Sequence, residues 1–145
     1  MTTIVSWLIR YGHVLSAAIW VGGYALLAFF IIPLLGKEPN ETLKQLALTT
    51  ARVLTYTGTL TMGFGLILIT RTRGFANLFG SAWGSLIIAG FVIAIILLGI
   101  GDGALRPAIQ LINKTGNVPA RRWALAGFIL TVLAVGVMTG ATFVG

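Results

Sequence analysis

The chain has 145 residues, 57% of them hydrophobic and only 9% charged, with a formal net charge of +7 and no cysteine. Soluble domains carry roughly 25% charged residues, so this deficit, together with apolar runs near membrane-crossing length, excludes an ordinary soluble enzyme and points to an integral membrane protein. The missing cysteine excludes disulfides, thiolate metal sites, iron–sulfur clusters and covalently attached c-type haem.

The first apolar run extends over about residues 3–32 and is expected to stop at Pro33. No basic region precedes it and no small-residue cleavage site follows it, so it reads as a retained span in contact with the lipid bilayer. Residues 36–40 form a polar turn in which Asn40 is a suitable N-cap. Span two begins amphipathically at Glu41, is apolar over 46–70, and ends at Arg71 and Arg73. Trp83 marks the start of span three, 82–100, which runs out in Gly99–Gly103. Residues 104–113 either extend that span or lie along the membrane surface. Gly116, Asn117 and Pro119 then break the chain, and Arg121-Arg122-Trp123 open span four, 121–144. No internal repeat stands out. The expected fold is a single all-α transmembrane domain over residues 1–145, an integral membrane antiparallel four-helix bundle.

The basic residues flank the apolar runs, which suits membrane topology rather than nucleic-acid binding. Lys37, Lys44, Arg106, Lys114, Arg121 and Arg122 fall after spans one and three, whereas the termini and the middle loop hold only Arg71 and Arg73. The positive-inside rule then puts both termini outside a bacterial-type inner (plasma) membrane. Trp7, Trp83 and Trp123 lie near span ends, as an aromatic belt predicts.

The single histidine, His13, lies inside span one. An imidazole in hydrocarbon needs a hydrogen-bond partner or a ligand, and it serves soft metals and haem iron well. At about 1.5 Å per residue, His13 lies ~13 Å from the outer end of its span, Met62 ~12 Å and Met138 ~9 Å. All three therefore belong to the outer half. His13, Ala17, Trp20 and Tyr24 share one helix face, with Arg10 about 60° away. Around Met62, Thr55, Gly58 and Gly65 form a surface of little bulk, which suits either a flat macrocycle or close helix packing. Gly136 and Gly140 point nearly opposite to Met138, which makes Met138 the weaker partner. Arg10 could grip a haem propionate or snorkel to headgroups. Arg52 could stack on Trp20 or serve as a cytoplasmic anchor. No carboxylates are paired within the spans, which argues against acid–base hydrolysis and carboxylate-bridged dimetal chemistry.

The pattern Arg10-x-x-His13-x6-Trp20-x-Gly22-Gly23, followed ten residues later by Pro33, resembles the first span of the CopD-like membrane family and of HemJ-type protoporphyrinogen oxidases. The likeness extends more loosely to Arg52 with Thr57-Gly58, to Trp83-Gly84 and to Arg121-Arg122. It implies a four-helix bundle, with haem b held axially by His13 in the HemJ-like case and copper movement in the CopD-like case. The leading expectation is thus a b-type haem protein for electron transfer, redox chemistry or gas binding. Its contacts would be His13, Arg10, Ala17, Trp20, Gly58 and Met62. Its second axial position would be Met62, a second His13 across a homodimer, or nothing, and its redox partner is unidentified. The alternative is a copper(I) protein using His13, Met62 and a contribution from Met138. A third reading is a HemJ-like oxidase, or a partner subunit in which His13 only bonds a neighbouring helix.

Overall fold

The computed structural model describes residues 2–144 and contains no strand among them. Four helices, each long and apolar enough to cross a membrane, make up nearly all of it: α1 (Thr3–Lys37), α2 (Glu41–Arg71), α3 (Ala82–Gln110) and α4 (Val118–Ala141). Short links turn each helix back on the one before. α1 packs most closely on α2 and α3 on α4, while α2 meets α3 and α4 meets α1 to close a ring of four. The expected all-α membrane bundle is what the chain forms.

Local chemistry sets the helix starts. Asn40 caps α2, its Oδ1 accepting from the Thr42 and Leu43 N–H groups at 2.7 and 3.3 Å. Ser81 caps α3 by accepting from the Gly84 N–H at 3.0 Å. Both satisfy amides that have no partner inside the helix. Gly84 must be glycine for a further reason: a Cβ there would lie 2.6 Å from the Leu78 Cα in the link before it.

Pro33 does not end the first helix. Residues Leu27–Ile31 form a π turn, the Ile32 N–H reaches back to the Leu27 carbonyl, and the helix continues through Pro33 to Lys37. A proline lacks an N–H and collides with the carbonyl four residues back; a wider turn just before it absorbs the mismatch. α3 repeats the device. Its π turn is Gly101–Leu105, the Arg106 N–H bonds the Gly101 carbonyl, and Pro107 follows. Residues 104–110 therefore extend the third span. The interval from Leu27 to Pro33 equals that from Gly101 to Pro107, so the two hairpins share a backbone feature that their side chains conceal.

The main core fills the half of the bundle away from the termini, where Leu27, Ile32, Leu54, Leu97, Leu105 and Ile109 are almost wholly buried. Tyr24, only 1% exposed, ties three helices together there. Its hydroxyl donates to the Leu97 carbonyl on α3 at 3.2 Å, and its ring packs directly against Gly127 on α4. A smaller cluster of Ile69, Trp83 and Ala141 lies toward the terminal end. Between the two clusters the helices leave a cavity. Large apolar side chains such as Leu8, Phe30, Ile95 and Leu133 point outward, where lipid would meet them.

A Cβ on Gly127 would approach Tyr24 Cζ to 2.8 Å, and Tyr24 has no room to retreat. Gly127→Ala is expected to lower stability by about 1–3 kcal/mol, the usual cost of overpacking. Denaturation of the detergent-solubilised protein measures this, and wild-type stability in the variant would contradict the packing described.

Candidate functional site

The cavity has a volume of about 660 Å³ and takes its walls from all four helices. It exists because small residues stand where the walls approach: Ala17 on α1, Gly65 on α2 and Gly90 on α3. Trp20 forms its floor on the core side. Its indole rests on Gly58, where a Cβ would come within 2.8 Å of the ring.

His13 stands on the seam between α1 and α2. Its Nδ1 lies 2.8 Å from the Thr61 carbonyl oxygen, and a carbonyl can only accept. The geometry therefore assigns a proton to Nδ1, and in the neutral ring Nε2 keeps its lone pair. The Thr61 hydroxyl is engaged elsewhere, donating to the Thr57 carbonyl at 2.7 Å. The Nδ1–Cε1 edge of the ring lies against α2, close enough that a Cβ on Gly65 would sit 3.2 Å from Cε1. Nε2 has no hydrogen-bond partner among the described residues, yet none of their buried side-chain nitrogens or oxygens is left unpaired. It is therefore accessible, and His13 lines the cavity.

The mouth of the cavity, at the terminal end, is cationic. Arg10 lies exposed one turn before His13, and Arg73 reaches across to the Val144 carbonyl at 2.9 Å. The Arg73 guanidinium also covers the Trp83 ring at 5.6 Å. All three acidic residues, Glu38, Glu41 and Asp102, lie toward the opposite end of the bundle. The ion pair between Asp102 and Arg106, at 3.2 Å, is there too. An anion entering from the terminal end would meet two guanidinium groups and, among the described residues, no side-chain carboxylate.

Of the residues singled out in the sequence, Arg10, His13, Ala17 and Trp20 come together on this cavity. Gly58 lies beneath the floor, under Trp20. Met62 does not reach the cavity; it packs, half-buried, against the main core. The reason is angular, since Thr61 and Gly65 hold the face of α2 turned toward His13 and Met62 is rotated about 100° from Thr61. Met138, ranked lower by the sequence, does line the cavity. No neighbour approaches Gly136, and the glycine that receives Met138 is Gly90 on α3, whose Cβ position lies 3.1 Å from Sδ. Arg52 is exposed and does not stack on buried Trp20; the cation over an indole is Arg73. Sequence reasoning placed Gly65 on the small surface of span two, but missed Thr61 and Gly90 and gave Arg73 no part in the site. The four-residue spacing Thr57, Thr61, Gly65, Ile69 could have marked the inward stripe of α2, since all four are buried.

The described residues contain no group of three or more His, Cys, Asp or Glu side chains able to hold a metal ion. A cofactor that carries its own equatorial donors needs only one or two protein ligands, and Nε2 of His13 meets that requirement. Comparison with protein-family models, curated proteins and solved structures gives no match.

Because this is the only histidine, its tautomer can be read directly. Imidazole ¹⁵N spectra of the ligand-free protein are expected to show one neutral ring protonated at Nδ1 and bare at Nε2. The opposite tautomer would contradict the bond to Thr61.

Proposed function

We propose that this protein is a membrane-embedded b-type haem-binding protein with His13 as axial ligand through Nε2. One observation carries the reading: one imidazole nitrogen is fixed by a backbone carbonyl while the other is unpaired and accessible, on a residue that lines an apolar cavity of about 660 Å³. Metal-bound histidines generally donate their second N–H to a carbonyl or carboxylate, which orients the ring and raises its basicity. The volume lies within the roughly 300–1,000 Å³ usual for ligand pockets.

Five wall residues have a part in this reading. Ala17 and Gly65 make room beside the imidazole, and Trp20 excludes water from the floor. Arg10 and Arg73 at the mouth pair with the carboxylates of the propionates, as guanidinium groups do well. Haem, when bound, supplies one-electron or gas-binding chemistry. The resemblance of the first span to HemJ-like proteins supports the same reading, and its resemblance to CopD-like proteins supports the copper alternative. The basic flanks favour termini outside a bacterial-type inner membrane, a homodimer is compatible with the reading, and the redox partner is a separate molecule. Copper(I) remains the second reading because the thioether of Met138 shares the cavity with His13.

The test is an absorption spectrum of the purified protein, oxidised and reduced, with and without added haem. A Soret band that His13→Ala abolishes is expected, with partial return on adding imidazole. Arg10→Ala should keep the band but weaken haem affinity several-fold, since a charge-assisted contact at an exposed mouth contributes about 1 kcal/mol. Wild-type protein that takes up no haem, or that carries stoichiometric copper instead, would defeat the proposal.

A further inference from the structure

Resting on the haem reading above, we propose that Met138 is the second axial donor, binding the iron through Sδ from the wall opposite His13. The ring order of the helices sets the two walls. His13 sits on the α1–α2 seam, against Thr61 and Gly65, whereas Met138 sits on the α3–α4 seam, against Gly90. In a ring that runs α1, α2, α3, α4, those seams face each other across the cavity.

Both side chains also stand at one level of the bundle. A Cβ on Gly65 would touch His13 Cε1 at 3.2 Å and Phe91 Cζ at 3.3 Å. Phe91 is next in the chain to Gly90, which holds Met138. The histidine, the phenylalanine and the methionine therefore occupy the same layer.

The remaining polar side chains on the walls suit iron less well. The hydroxyls of Thr61, Thr72, Thr131, Thr139 and Thr142 each donate to a carbonyl of their own helix, at 2.6 to 2.9 Å. Arg10 and Arg73 have no lone pair to offer. Neutral alcohol oxygens are not among the usual axial ligands of haem iron, so the side-chain atoms on the cavity walls that suit it are Nε2 of His13 and Sδ of Met138. Among the described residues the other methionine, Met62, packs on the core. Methionine has three rotatable bonds, so the thioether can swing from the notch over Gly90 toward the centre. Histidine–methionine ligation gives a six-coordinate iron at raised reduction potential.

The experiment uses the full chain in detergent, loaded with haem b, and reads coordination rather than turnover. Wild type is expected to be six-coordinate and low-spin, with the near-infrared charge-transfer band of an iron–thioether bond. Met138→Leu, close in volume and so tolerated, should keep its haem, lose that band, become high-spin, bind carbon monoxide readily, and have a lower midpoint potential. Met138→His should restore a low-spin spectrum of bis-histidine type, and Met62→Leu should match wild type. A Met138→Leu protein with the wild-type spectrum would overturn the inference, and would do so in favour of a second copy's histidine if it remained six-coordinate. Wild type that binds haem in a five-coordinate state also overturns it, while leaving the haem reading intact. Wild type that binds no haem overturns the haem reading itself.

Discussion

The hydrogen bond from His13 to the Thr61 carbonyl governs how the terminal half of the bundle is built. A helix carbonyl has a second lone pair beyond the one its own ladder uses. It is an acceptor that α2 can offer to α1 without breaking its helix. An imidazole in an apolar layer gains more from that bond than it would in water, because the alternative is a polar nitrogen with no partner. The bond also fixes the rotation of the ring. Once Nδ1 faces α2, Nε2 has to face away from it, and Gly65 one turn further on is what allows the ring to lie so close. The orientation of the candidate ligand is thus a consequence of how α1 and α2 pack.

Packing is divided unevenly along the bundle. Helices in lipid gain little from burying apolar side chains against one another, so close fit and interhelical hydrogen bonds hold them together. In the half away from the termini, Tyr24 provides both, with its ring on Gly127 and its hydroxyl on the Leu97 carbonyl. The π turns in α1 and α3 lie in this half, so the helices pass their prolines there without disturbing the cavity. Toward the termini the fit loosens. Exposed Val14 and Ala18 of α1, and Val135 and Thr139 of α4, belong to the cavity wall, so the cavity opens sideways between these two helices. An opening toward lipid admits acyl chains, and an apolar wall alone would not discriminate against them. Selectivity has to come from the few groups a lipid tail cannot satisfy, which are Nε2 of His13 and the guanidinium groups at the mouth.

Much of this was legible from the residues. Four apolar runs gave four helices, Asn40 gave a cap, and the spacing of His13, Ala17 and Trp20 gave one face of α1, because each of these depends on local chemistry or helical period. The errors came where a distant contact decides. Pro33 reads as a stop in isolation, and only a π turn before it keeps the helix going. The choice between Met62 and Met138 turned on which face of α2 and of α4 is inward. For α2 the cue was present in Thr57, Thr61, Gly65 and Ile69, but a methionine beside small residues drew attention to the wrong stripe. For α4 no local cue existed, since Gly136 and Gly140 resemble a packing motif, and the glycine that receives Met138 belongs to α3.

A purely structural role for His13 would account for one of its nitrogens. An interhelical bond to a carbonyl asks only for a donor, which a serine or threonine hydroxyl also supplies. The imidazole brings a second nitrogen, and here that atom is neither paired across the seam nor packed away among apolar side chains; it is accessible beside a cavity. A bare acceptor in an apolar space is costly to keep without a partner. The same cavity wall holds its threonine hydroxyls on their own carbonyls and carries no acid, so the lone pair has no internal proton to accept. What it suits is an electrophile that enters from outside the chain. The haem iron of the proposed reading would be such an electrophile.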